Sequence, residues 1–185
     1  SILVFEIFSF SLIAEEVVFN FESGDLQKEG WEIVQGTNSR PIGNRTQEFH
    51  DESIPYDKEG DCYLTTLESN VDNNPTDDTL CVLESPAFLI QGKEATLFVG
   101  GGQRPQTYVA LCLLNEQGEI ETVLKAQGNN SQKLQEVVWD VSAYSGRRAI
   151  LQVVDLELGG WAHIRMDDFH IEGQIDLEAT AQRRS

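Results

Sequence analysis

Two adjacent aspartates, Asp167 and Asp168, sit in an unusual place in this 185-residue chain. They interrupt the strand-like run Ile164-Arg-Met-Asp-Asp-Phe-His-Ile171. Ile164 and Met166 share one face by alternation. Phe169 and Ile171 fall on the other parity, so the phase slips once at the aspartate pair. A single slip of this kind is the mark of a β-bulge. A bulge there would turn a carboxylate inward with Met166. Such a carboxylate needs a partner, because an unpaired buried charge is costly. The available partners are a metal ion, Arg165, or a basic side chain from another strand. Hard oxygen ligands favour calcium over transition metals. Glu22 and the Ser23-Gly24-Asp25 turn that follows it supply further oxygens. The competing reading is a carboxylate pair that caps backbone amides at a strand corner.

A second group could touch a ligand: Arg104, Tyr108, Trp161 and His163. Trp161 and His163 follow Gly159-Gly160, and together they suit stacking against a sugar. A tryptophan at so tight a corner equally suits plugging the end of a sandwich. Gly100-Gly-Gly102-Gln-Arg104-Pro105 lacks the Lys-Ser/Thr ending of a phosphate-binding loop. Its glycines predict close packing of backbone under Trp161. A ligand rim with Arg104 as donor is the other possibility.

Catalysis is not expected. The chain has no Gly-x-Ser-x-Gly, no His-Glu-x-x-His, and no cysteine beside a histidine in sequence. Its histidines are His50, His163 and His170. Composition alone would allow a glycosidase-like carboxylate pair, but adjacent Asp167 and Asp168 suit metal or bulge duty better. Of three cysteines, Cys62 and Cys81 lie in neighbouring strand-like runs and are the candidate disulfide. Cys112 lies in an apolar run, as a buried thiol would.

The elements that must position these residues are strands. Short runs rich in Val, Ile, Leu, Phe and Tyr recur between Gly, Asn, Asp and Pro, with almost no helical period. Strands are expected near 17–22, 31–35, 61–67, 79–90, 94–100, 107–114, 119–125, 134–139, 148–155 and 162–172. That density points to an all-β, antiparallel sandwich. Tyr108–Leu114 is apolar on both faces, as in a strand covered on both sides. Asn115–Gly118 reads as a hairpin turn, and Ser142–Gly146 as one short helical turn.

The formal charge is −18, from 31 acidic and 13 basic side chains. Such a surface repels phosphate backbones, so no nucleic-acid partner is expected, nor polybasic membrane binding. Ten carboxylates lie between Asp51 and Glu84. They form either a solvated loop or a patch for a cation or basic partner. Residues 1–16 form an apolar leader or anchor segment, either the end of a secretory signal or a retained docking segment. The sandwich is expected over 17–173 and a frayed tail over 174–185. Asn44-Arg-Thr46 and Asn129-Asn-Ser131 are N-glycosylation sequons, consistent with a secreted, periplasmic or organelle-lumenal protein.

Three segments together carry a resemblance. They are Phe19-Asn-Phe-Glu22 through Gly30-Trp31; Leu83-Glu-Ser-Pro-Ala-Phe88 with Gly100-Gly-Gly102; and Trp139-Asp140 through Asp155 to Gly159-Gly-Trp-Ala-His163 and Asp167-Asp-Phe169. The set resembles the jelly-roll β-sandwich appended to levanase- and invertase-type glycoside hydrolases. It is also similar to galactose-binding-like carbohydrate modules and, more distantly, to MAM domains. The resemblance implies a structural calcium ion between an acidic residue of the first strand and an aspartate of the last, here Glu22 and Asp167 or Asp168. It implies a non-catalytic binding module with a glycan or protein partner. The alternative is an accessory subunit of a larger extracellular or membrane-associated assembly. The architecture does not specify a ligand.

Overall fold

The computed structural model describes residues 14–67 and 75–185. Eleven strands are formed among them: β1 (Glu16–Phe19), β2 (Glu32–Gly36), β3 (Ile42–Gly43), β4 (Tyr63–Thr65), β5 (Cys81–Glu84), β6 (Phe88–Gly101), β7 (Thr107–Leu114), β8 (Ile120–Ala126), β9 (Ser131–Asp140), β10 (Arg148–Asp155) and β11 (Ile164–Ile175). One helix follows, α1 (Leu177–Arg183). The expected leader falls largely on residues 1–13, outside the described part. Glu16 already belongs to β1, paired with Glu172.

All pairings are antiparallel. One layer runs β8-β7-β10-β5-β2. The other runs β9-β6-β11, with β1 and β4 sharing the far edge of β11 and β3 beyond β4. The long β6 joins them, because Phe88 and Leu89 also pair with Ala149 and Arg148 of β10. This is the antiparallel sandwich that the strand density predicts. Alternating residues of both layers meet between them, among them Leu83, Leu97, Leu111, Leu151 and Met166. Phe19 anchors one end, edge-on to Trp31 at 5.5 Å and stacked on Phe169 at 5.7 Å. Truncating such a buried aromatic costs about 3–5 kcal/mol.

Tyr108–Leu114 is covered on both sides. Val109, Leu111 and Leu113 face the inter-layer core. Ala110, Cys112 and Leu114 face a second cluster that includes Ala179 of α1. Residues 176–183 are therefore not a frayed tail. Asp176 caps the helix by accepting the Ala179 amide at 2.8 Å. Arg183 Nη2 reaches buried Glu84 at 2.8 Å. The Thr180 hydroxyl accepts the Ala87 amide at 2.8 Å.

The expected 79–90 strand is broken at Ser85-Pro86-Ala87, since proline cannot donate to a ladder. The first strand stops at Phe19 rather than residue 22. Phe21 is in the left-handed region, at φ 59°. The Asn115–Gly118 hairpin and the short turn at Ser142–Tyr144 form as expected.

The Cys62–Cys81 disulfide is not formed, and all three cysteines are free. Cys62 precedes β4 and Cys81 opens β5, and three strands (β10, β6 and β11) lie between those two. Nearness in sequence does not bring their Cβ atoms together.

Candidate functional site

The loop between β10 and β11 carries Trp161, and a set of contacts from separate segments fixes its shape. Arg104 Nε donates to Glu157 Oε2 at 2.8 Å. Its Nη1 and Nη2 donate to the carbonyls of Gly160 (3.1 Å) and Leu158 (3.2 Å). The guanidinium thus braces the loop. Glu157 also accepts the Gln106 amide; that bond, and then Arg104, hold its carboxyl below the usual carboxylate range. The expected close packing of the glycine loop is present. A Cβ on Gly102 would lie 1.6 Å from the Trp161 carbonyl oxygen.

Trp161 itself is at φ 65°, a left-handed conformation rare for a bulky residue. Strain of this kind costs on the order of 1–3 kcal/mol and is retained where the surroundings impose it. Asp77 is one such imposition. Its Oδ2 accepts the Trp161 amide at 3.0 Å, and its Oδ1 lies 2.6 Å from His163 Nδ1. The Trp161 and His163 rings stack, with centroids 5.6 Å apart and planes 25° from parallel. His163 Nε2 lies 2.9 Å from Gln132 Oε1, so both ring nitrogens face acceptors. Burial pulls the ring below its ordinary pKa, and Asp77 opposes that. Gln132 also accepts from Arg165, whose Nη2 donates to the Tyr56 hydroxyl at 3.0 Å. The buried Arg165 guanidinium lies over the Tyr56 ring at 4.1 Å.

Trp161 and His163 border a cleft of about 210 Å³, with Glu48, Phe49, His50, Asp77 and Gln132 on its walls. One half-exposed indole, two histidines and planar carboxylate and amide groups thus converge on one hollow. Tyr108 does not join them. It lies with the second apolar cluster, under the Lys125 ammonium at 4.0 Å. Asp77, Gln132 and Glu48 were not legible as site residues. Glu48 and Asp77 come from two loops and Gln132 from the start of β9, and nothing local distinguishes Asp77 from the other acids of its stretch.

The bulge at Asp167-Asp168 is present. Register against β6 shifts between Asp167 and His170, and Asp168 has φ 47°. Its consequence differs from expectation. Ile164 to Asp167 pair without interruption with Gly101 to Phe98, so Asp167 takes the Arg165 side of the strand, not the Met166 side. There it is fully buried under the 57–62 loop. It accepts the amides of Glu59 (3.0 Å) and Asp168 (2.8 Å). Burial, then the charges of Asp168 and Glu22, push it up to about 7.

Glu22 reaches the same loop and accepts the amides of Asp61 and Cys62, each at 3.0 Å. Lys58 Nζ sits on the carbonyls of Gly60 (2.6 Å) and Asp61 (2.8 Å). The other two expected ligands lie elsewhere. Asp25 caps its own turn through the amides of Gln27 and Lys28. Asp168 Oδ1 meets His170 Nε2 at 2.9 Å, and His170 Nδ1 meets Glu16 at 3.0 Å. Burial alone would lower that ring, but the two carboxylates outweigh it and raise it. Among the described residues, no cluster of three or more His, Cys, Asp or Glu side chains could hold a metal. Glu22 and Asp167 instead both cap amides of the 57–62 loop, and the Gly60 and Asp61 carbonyls, each in a trans peptide with an amide that Glu22 accepts, point away from it toward Lys58.

No family model matches the chain. A curated relative described as a putative glycosyl hydrolase ecdE, from Aspergillus rugulosus, is 34% identical over 91 residues. That match covers 49% of this chain and only 12% of the relative. Among solved structures, the K2 cleaved adhesin domain of Lys-gingipain is similar over 85% of this chain and 99% of its own, with TM-score 0.52 and 13% identity. TmCBM61, solved with β-1,4-galactotriose, is similar over 83% and 94%, with TM-score 0.45 and 15% identity. CBM35 from Paenibacillus barcinonensis covers 83% and 95%, with TM-score 0.39 and 14% identity. At these identities the likeness is one of fold: the chain is an antiparallel β-sandwich, as is seen in its own strand pairing.

Proposed function

We infer that this protein is a non-catalytic carbohydrate-binding module that takes its glycan at the Trp161 cleft. The observation that carries this reading is the way Trp161 is held. A bulky residue in a left-handed conformation is fixed by Asp77, by the Arg104 strut and by glycine packing, and it stacks over a doubly anchored histidine. Sugars present apolar C–H faces and rings of hydroxyls, and they are recognised by aromatic plates flanked by planar polar groups. Phe21 adopts the same conformation in the core, but Trp161 does so with its ring at the edge of a cleft. Secretion belongs to the same reading, and it is supported by the exposed sequon residues Asn44 and Asn129. Among the described residues no helix is long and apolar enough to cross a membrane.

Glycan binding is tested by calorimetry across a broad oligosaccharide panel. Binding to at least one sugar is expected, lost in Trp161→Ala and weakened about tenfold in His163→Ala. Failure across the panel, or binding indifferent to Trp161→Ala, would overturn the proposal.

A structural calcium ion at the Glu22–Asp167 corner is the second part of the reading. Glu22 and Asp167 would hold it, releasing the loop amides they now accept. Calcium would then tie the first strand and β11 together. A ligand that binds only the folded state raises the melting temperature. The midpoint should therefore fall on adding chelator, and an unchanged midpoint would leave the carboxylates as amide caps.

A further inference from the structure

The cleft does not end at Phe49. Phe49 and Pro75 also wall a neighbouring open groove of about 460 Å³. Two arginines, Arg40 and Arg45, line that groove. This is a local exception on a chain of charge −18. Arg45 is set in place: its guanidinium lies 3.8 Å over the Phe49 ring, and its Nε donates to the Gln47 carbonyl at 2.8 Å. No carboxylate pairs with its terminal nitrogens or with Arg40 among the described residues. Glu52 lines the groove as well, so the pocket is not uniformly basic. Beyond about 8 Å at physiological ionic strength the net charge is screened, and short-range pairing decides what binds.

On these grounds we propose that the groove extends the glycan site and selects saccharides bearing carboxylates, with Arg40 and Arg45 receiving a uronic acid group while Trp161 stacks on a neighbouring ring. The proposal rests on the glycan-binding reading above and names its ligand class. A planar guanidinium fork matches a carboxylate in two parallel hydrogen bonds. An arginine already stacked on an aromatic ring loses less freedom on making them. The shared Phe49 wall places the two halves within reach of one short oligosaccharide.

The test uses protein produced without N-glycosylation, because Asn44 of the sequon lines the groove. Trimers of galacturonate, glucuronate and mannuronate are titrated by calorimetry, each beside its carboxyl-reduced neutral counterpart. At least one acidic trimer should bind ten-fold or more tighter than its reduced form. Arg45→Gln should weaken it several-fold, and Arg40→Gln/Arg45→Gln should erase the preference while leaving the neutral trimer unchanged. Trp161→Ala should weaken both forms. Equal or tighter binding of the reduced trimers, still lost in Trp161→Ala, would overturn the carboxylate proposal and leave the glycan site standing. Loss of acidic-trimer binding in neither arginine variant would do the same. If no trimer of either kind binds, the carboxylate proposal fails, and the broad panel alone decides the glycan reading. Glu52→Gln supplies a check that needs no loss of fold, since it should tighten acidic trimers alone.

Discussion

Two fully buried carboxylates on neighbouring strands have opposite fates. Glu84, at the end of β5, takes Arg183 on both oxygens and Gln152 on one. Asp155, at the end of β10, meets no donor in hydrogen-bonding geometry. Burial pushes it up to about 7, and the nearby Thr66 hydroxyl and Glu157 amide offset only part of that. Glu84 lies under α1, where the fold closes on itself. Asp155 opens the loop that carries Trp161. The helix end is matched by a cation, whereas the loop end keeps a buried acid without one and a strained tryptophan. Such costs concentrate where a surface is shaped for something other than folding.

The largest test of this contrast is Arg183→Leu, which leaves Glu84 buried without its cation. Urea unfolding should show a loss of about 3–5 kcal/mol. A loss below about 1 kcal/mol would erase the difference between the two ends.

Next comes Asp155→Asn. The folded state keeps the Asp155 proton up to about pH 7, while the unfolded chain releases it near 3.8. Its contribution to stability is therefore complete below about pH 4 and is lost as pH rises to about 7. Asp167 acts with the same sign, and His163, lowered by burial, with the opposite one. Asp155→Asn should thus gain on the order of 3 kcal/mol at pH 8 and flatten the pH profile. A variant no more stable at pH 8 than at pH 4, relative to the parent, would show that Asp155 is well paired.

Gly102→Ala should cost about 2 kcal/mol by forcing the Trp161 loop away, and should weaken sugar binding with it. Unchanged chemical shifts of the Trp161 indole would count against that link.

The smallest effect is chemical and separates the two ends directly. Cys112 lies beneath α1, and Cys81 pairs in register with Asp155. Burial pushes the Cys81 thiol up to about 12 and raises Cys112 as well. In the native protein only half-exposed Cys62 should label with a thiol reagent, with all three labelling in urea. Arg183→Leu should open Cys112 alone, and Asp155→Asn should open neither.

The strands and their layering were legible because period-2 patterning survives in a sandwich. The slip at Asp167-Asp168 was legible for the same reason, since parity records a bulge. Which side Asp167 would take was not, because that depends on which residues of β11 keep register with β6. The helix at 177–183 escaped notice because seven residues show less than two turns of period. Its signal was the Asp176 cap ahead of Leu-Glu-Ala. The cleft was half legible. Trp161 and His163 stand out by type, but Asp77 reaches them from a distant loop and Gln132 from the start of β9, and no spacing encodes that meeting. Arg104 stands beside that loop as its sequence position suggested, and there it braces the backbone.

One pairing has a consequence for engineering. The Glu15 carbonyl accepts the Gly173 amide at 2.9 Å, just before β11 gives way to Asp176 and α1. The polypeptide thus comes into the sandwich beside the place where it leaves for its final helix. Cutting away Glu15–Phe19 would therefore bare the far edge of β11 and leave its donors and acceptors open to a strand from another molecule.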